Sequence, residues 1–137
     1  VPVKEIRDVF VAGRKFEYLK ERMLGYEELM KLPVMCLEGN TSTRTYVEQF
    51  LASKQVTIRP EFELATSDML IQFAVRNLGI ASVVRNFAEE HLAEGDLFEL
   101  RFLEEIPART FCIVANERIP LSAAAATLMN VLTQGVP

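Results

Sequence analysis

The sequence predicts an α/β fold with a largely parallel sheet, on two observations. Short apolar runs suited to buried strands alternate with helical segments along most of the chain. In the middle, a strand, a polar turn and a helix follow one another twice: VMCL, EGN and TSTRTYVEQFLASK, then EFELA, TS and DMLIQFAVR. Such alternation places strands side by side with helices packed across them. The length of 137 residues suits one ordinary domain or two small lobes. Half the residues are hydrophobic and only 6 Gly and 6 Pro occur, which excludes a disordered or collagenous chain.

Taken in order, Ile6 to Ala12 reads as one buried strand closed by Gly13. The charged stretch RKFEYLKERML is irregular and leads into GYEELMKL, a short helix that Pro33 stops because proline has no N–H and clashes with the preceding turn. VMCL is a buried strand, Glu38-Gly39-Asn40 a turn, and the helix after it carries Tyr46, Val47, Phe50 and Leu51 as an apolar stripe. Glu61 to Ala65 alternates as a strand does. Thr66-Ser67 supplies an N-cap pair, and the apolar helix that follows ends at Asn77. GIASVV is a buried strand, and NFAEEHLAEG a short helix closed by Gly95. LFELRF and RTFCIVA are further strands, and Ser122 caps a helix over AAAATLMNVL with Gly135 beyond its end.

Composition and missing motifs exclude several functions. Lys and Arg number 15 against 19 Asp and Glu, a net charge of −4, and no basic run exceeds two residues, so this chain is not expected to hold DNA directly. The N-terminus has no secretory pattern and no run approaches the roughly 18 apolar residues of a membrane span, which gives the expectation of a cytoplasmic protein with no membrane contact. Cys36 and Cys112 lie in apolar runs without CxxC spacing and read as reduced core thiols; the methionines read as core or interface filler. His91, the single histidine, lies among Glu89, Glu90 and Glu94 and reads as part of a solvated face. No nucleophile elbow, zincin, P-loop or dinucleotide motif occurs. The expectation is a protein that is not an enzyme, with no cofactor and no metal.

Read in sequence, the strand DVFVAG, the segment GYEELMKLPVMCLEG, the turn and helix GNTSTRTYVEQF, the run ATSDMLIQFAVRNLGIASV, then HLAEGDLFELRF and RTFCIVANERIPLSAAAATLMNVL, the chain resembles the effector-binding domain of the LysR-type transcriptional regulators. The most diagnostic piece is AVRNLGIASV, similar to the family's V-x-x-G-x-G-I-A; Gly79 keeps the second glycine and Asn77 stands for the first. Asn is the next residue after Gly to accept the left-handed conformation at a helix end, so Asn77 is expected at positive φ and Asn77→Gly is expected to be neutral or stabilising. The resemblance implies a two-lobed fold like the type II periplasmic binding proteins. It also implies a fragment: residues 33–111 as a nearly complete lobe II, with residues 1–32 and 112–137 as remnants of lobe I. The family's helix-turn-helix and linker helix are not in this sequence.

The candidate effector-binding residues are Asn40, Thr41, Ser42, Thr43 and Arg44 at the first helix start and Thr66 and Ser67 at the second. Unpaired N–H groups and the helix dipole make such turns favourable for a carboxylate, sulfate or phosphate, and the hydroxyls add short donors. Simple N-capping is the alternative at both turns, more so at Thr66-Ser67, and Arg44 is either a bidentate carboxylate partner or an exposed helix arginine. Asp68 repels an anion if it points into the site. The resemblance implies a small-molecule effector, expected to be anionic, bound between lobes of a homo-oligomeric regulator that reaches DNA through a helix-turn-helix outside this chain. A solute-binding protein of the same fold and a small α/β enzyme are the rival readings.

Overall fold

The computed structural model describes residues 1–134; Gly135, expected beyond the last helix, lies outside them. The strands are β1 (Pro2–Ile6), β2 (Asp8–Ala12), β3 (Met23–Leu24), β4 (Val34–Leu37), β5 (Phe62–Leu64), β6 (Ile80–Val84), β7 (Phe98–Glu99), β8 (Arg101–Phe102) and β9 (Arg109–Cys112). The α-helices are α1 (Ser42–Ser53), α2 (Ser67–Val75), α3 (Arg85–Glu94) and α4 (Ala123–Gln134), with 3-10 helices at Arg14–Leu19 and Tyr26–Lys31. They form two units, Arg7–Pro107 and, separately, Val1–Ile6 with the chain from Ala108 onward. Residues 7–32, which the resemblance assigns to the remnant of lobe I, pack in the larger unit with residues 33–107.

The larger unit is built on a five-stranded sheet of order β5-β4-β6-β2-β7. β4 runs parallel to β5 and β6, whereas β2 is antiparallel to β6 and β7. The sheet is therefore mixed, and the largely parallel expectation holds only for β5, β4 and β6. The connection from β2 to β4 holds two 3-10 helices and β3 rather than the α-helix usual between parallel strands. Neighbouring residues of one strand divide between two cores. Phe10, Val34 and Ile80 pack with Leu24, Leu29, Val47 and Leu51, while Val11, Met35 and Ala81 pack with Leu70, Ile71, Ala74 and Ala88 on the opposite face. Each fully buried Val, Leu, Ile or Phe contributes about 1.5–3 kcal/mol, so a sheet covered on both faces needs no staple.

Several expected elements divide differently. The single strand over Ile6 to Ala12 is broken at Arg7, since β1 belongs to the smaller unit and β2 to the sheet. The LFELRF strand is broken at Leu100, whose N–H donates to the Phe10 carbonyl at 2.8 Å; β8 then pairs in parallel with β3 instead. Cys36 is buried as expected, but Cys112 is exposed, and of the methionines Met35 is buried while Met23, Met30 and Met69 are exposed.

Both expected left-handed positions occur. Gly95 closes α3 at φ 85°, and Asn77 ends α2 at φ 63°. Asn77 N–H reaches the Ala74 carbonyl and Leu78 N–H that of Phe73, at 3.0 Å each, the paired bonds of a Schellman end. Gly79 is needed for proximity rather than for φ: a Cβ there would lie 2.6 Å from the Pro33 carbonyl oxygen. In the smaller unit β1 and β9 pair antiparallel, with Lys4 opposite Phe111 and Ile6 opposite Arg109. Ser122 Oγ accepts from Ala125 N–H at 3.1 Å to cap α4, a helix with no buried residue.

Candidate functional site

Parallel pairing of β4 and β5, with Leu37 opposite Leu64, brings the two hydroxyl-bearing turns to the same end of the sheet. Glu38 N–H donates to the Leu64 carbonyl at 3.0 Å and ties the turns together. Ligands in α/β sheets collect beyond such strand C-termini because helix N-termini converge there.

Within the first turn the hydroxyls have separate tasks. Thr41 Oγ1 donates to the Glu38 carbonyl at 3.0 Å and accepts from Arg44 N–H at 3.2 Å, so Thr41 is the N-cap of α1. Asn40 and Ser42 are exposed, Thr43 is half-buried and engaged, and among the described residues Asn40 and Ser42 side chains make no hydrogen bond. The second turn repeats the arrangement: Thr66 Oγ1 accepts from Met69 N–H at 3.2 Å, and the Ser67 hydroxyl makes no hydrogen bond among the described residues. Asp68 is exposed in the first turn of α2.

Arg44 is neither exposed nor open. Its side chain is only 11 % exposed, with Nε on Glu48 at 2.6 Å and one terminal nitrogen on Glu63 at 2.8 Å and on the Leu37 carbonyl at 3.0 Å. Burial lowers its pKa, but hydrogen bonds to Glu63 and Glu48 outweigh that and hold it above its ordinary value. Arg44 thereby fastens α1 to β4 and β5. Glu48 was legible as the i+4 partner; Glu63, nineteen residues away, was not. Below these turns the Cys36 thiol is pushed up to about 11 by burial, with Arg44 acting in the opposite sense.

Thr43 and Arg44 border a hollow of only about 20 Å³, so the turns present a face rather than an enclosed pocket. A cavity of about 420 Å³ opens elsewhere in the larger unit, bounded by residues of β2, β3, β7 and β8, and none of the seven candidate residues borders it. His91 proves half-buried: its Nδ1 lies 3.1 Å from the Asp96 carboxylate. With exposed Glu94 these form one trio of metal-ligand type whose atoms lie within 4.8 Å of one another. Among the described residues no helix is long and apolar enough to cross a membrane.

A family model described as LysR substrate binding domain matches residues 1–137. The HTH-type transcriptional activator CmpR of Synechocystis is 27% identical over 73 residues, which is 53% of this chain and 24% of that protein. The CcmR regulatory domain of Synechocystis PCC6803, solved in complex with 2-PG, superposes with a TM-score of 0.85 at 19% identity, over 100% of this chain and 67% of that one. The effector binding domain of QuiR, solved in complex with shikimate, gives 0.81 at 11% identity, over 98% and 63%. These similarities show the fold, mixed α/β of the type II periplasmic-binding-protein kind.

Proposed function

Because the chain belongs to the LysR substrate binding domain family, we propose that it senses a small anionic effector and passes its binding to a helix-turn-helix elsewhere in a homo-oligomeric, cytoplasmic transcriptional regulator. A ligand acts this way by binding one arrangement of the regulator better than another. In this reading the larger unit is lobe II enlarged by residues 7–32 and shortened by residues 108–111, and the smaller unit is part of lobe I. The observation that carries the reading is the pair of helix starts at one sheet end, where Ser42 and Ser67 keep uncommitted hydroxyls while Thr41 and Thr66 do the capping. Asn40 and Thr43 flank the first start, and Arg44 positions it through Glu48 and Glu63 rather than by touching the effector. That CcmR and QuiR domains were solved with 2-PG and shikimate, both small, supports the size of ligand.

Thermal shift tests this. Sulfate, phosphate and 2-PG are expected to raise the Tm of the chain, and the Ser42→Ala/Ser67→Ala variant is expected to lose that increment, since a ligand stabilises only the state it binds. An unchanged increment in the variant contradicts the assignment. Ser-to-Ala at these two positions spares both caps, so loss of the increment is not loss of the helices.

A further inference from the structure

We propose a second small-molecule site in the larger unit, in the cavity among β2, β3, β7 and β8, which takes a small carboxylate with a flat apolar body. Its volume of about 420 Å³ falls within the roughly 300–1,000 Å³ of ligand pockets. The apolar wall is aromatic. Tyr26 and Phe102 stack with ring centroids 4.2 Å apart at 5°, and Phe10 meets Phe102 edge-on at 5.8 Å. Met23, exposed at the rim, adds a thioether, which packs favourably against ring edges.

The polar wall selects the charge. Three arginines and three acids, Asp8, Glu99 and Glu105, border the cavity, and the arginines are not equivalent. Arg7 pairs with Glu105, and Arg85 Nε with Glu99 at 3.0 Å, so those two cations are already answered. Asp8, also on the wall, is buried and engaged. Arg101 makes no side-chain hydrogen bond or ion pair among the described residues and is the open cation. The Tyr26 hydroxyl donates to the Glu104 carbonyl, and burial together with Glu104 and Glu105 pushes its pKa upward, so it stays neutral. Tyr26 and Phe10 are buried and back this wall, which leaves half-buried Phe102 and exposed Met23 as its accessible apolar part. One open guanidinium beside that part suits a monocarboxylate: the fork takes the carboxylate, and Phe102 and Met23 take the body. A cation would meet Arg101, and an uncharged ligand would leave it unanswered.

Benzoate is the probe and benzamide its uncharged counterpart, titrated into the 137-residue chain with methyl NMR to locate binding and calorimetry to measure it. Benzoate is expected to shift the methyl signals of Met23, Leu100 and Ile106, which border the cavity, and to bind about tenfold more tightly than benzamide. Arg101→Gln, at an exposed strand position, is expected to lower benzoate affinity about tenfold, with Arg101→Lys retaining part of it. Absence of these methyl shifts at millimolar benzoate overturns the proposal. So does binding confined to the Thr41 and Thr66 turns, or equal benzoate affinity in Arg101→Gln.

Discussion

Asn77 serves two parts of the chain at once. Its backbone ends α2 at positive φ, and its Oδ1 accepts from Lys15 N–H at 3.0 Å, the first turn of a 3-10 helix sixty-two residues away. Gly13 must lack a side chain to allow this, since a Cβ there would lie 2.4 Å from that oxygen. The expectation that Asn77→Gly is neutral therefore needs correction: glycine keeps the conformation but leaves Lys15 N–H without its acceptor. Asn77→Gly is expected to cost about 0.5–1.5 kcal/mol in urea melts. Asn77→Val should cost a further ~1–2 kcal/mol from left-handed strain, and equal stability of wild type and the glycine variant would contradict the bridge. The two thiols separate as sharply. A Cys36 pKa raised to about 11 from the ordinary 9.0 favours the protonated folded form, so its contribution is complete below pH 9 and is lost as pH climbs toward 11. Stability of the wild type should fall more over that interval than that of Cys36→Ala. Iodoacetamide at pH 8 should label exposed Cys112 and spare Cys36 in the folded chain.

Among elements, α1 depends on Arg44 more than its sequence suggests. Arg44→Met removes the contacts to Glu48, Glu63 and the Leu37 carbonyl together. Because both glutamates are half-exposed and regain water, the expected cost is about 1–2 kcal/mol in denaturant melts rather than that of a broken buried pair. A cost near zero would show that the arginine only decorates the helix. What was legible follows from interaction range. The Ser122 cap, the presence of an N-cap among the hydroxyls of the two turns, the αL ends at Asn77 and Gly95 and the buried strands β4 and β6 are written within a few residues of themselves, though which hydroxyl caps each turn is not. The break at Arg7, the parallel β3–β8 pair and the antiparallel seating of β2 depend on partners far along the chain, and an uninterrupted apolar run conceals them. The same limit applies to the sites. The hydroxyl turns are local patterns, whereas the aromatic cavity assembles Tyr26, Phe10 and Phe102 from three separate segments.

At the scale of the whole molecule, the smaller unit leaves much apolar surface uncovered. In α4, Leu128, Val131 and Leu132 are exposed, as is Phe111 on β9, and among the described residues β1 and β9 form a sheet of only two strands. Surface of this kind tends to be covered by self-association. Light scattering is expected to give a mass of a dimer or larger; a stable 15.5 kDa monomer would contradict this. The regulatory reading rests on the face formed by the two helix starts. Backbone-amide NMR during titration with sulfate, phosphate and 2-PG tests that face most directly. The largest shifts are expected at Ser42 and Thr43 in the first turn of α1 and at Ser67 and Asp68 in that of α2, with both sets following one binding curve. Amides that stay still at these four residues under all three anions, or that shift only elsewhere, would contradict the account.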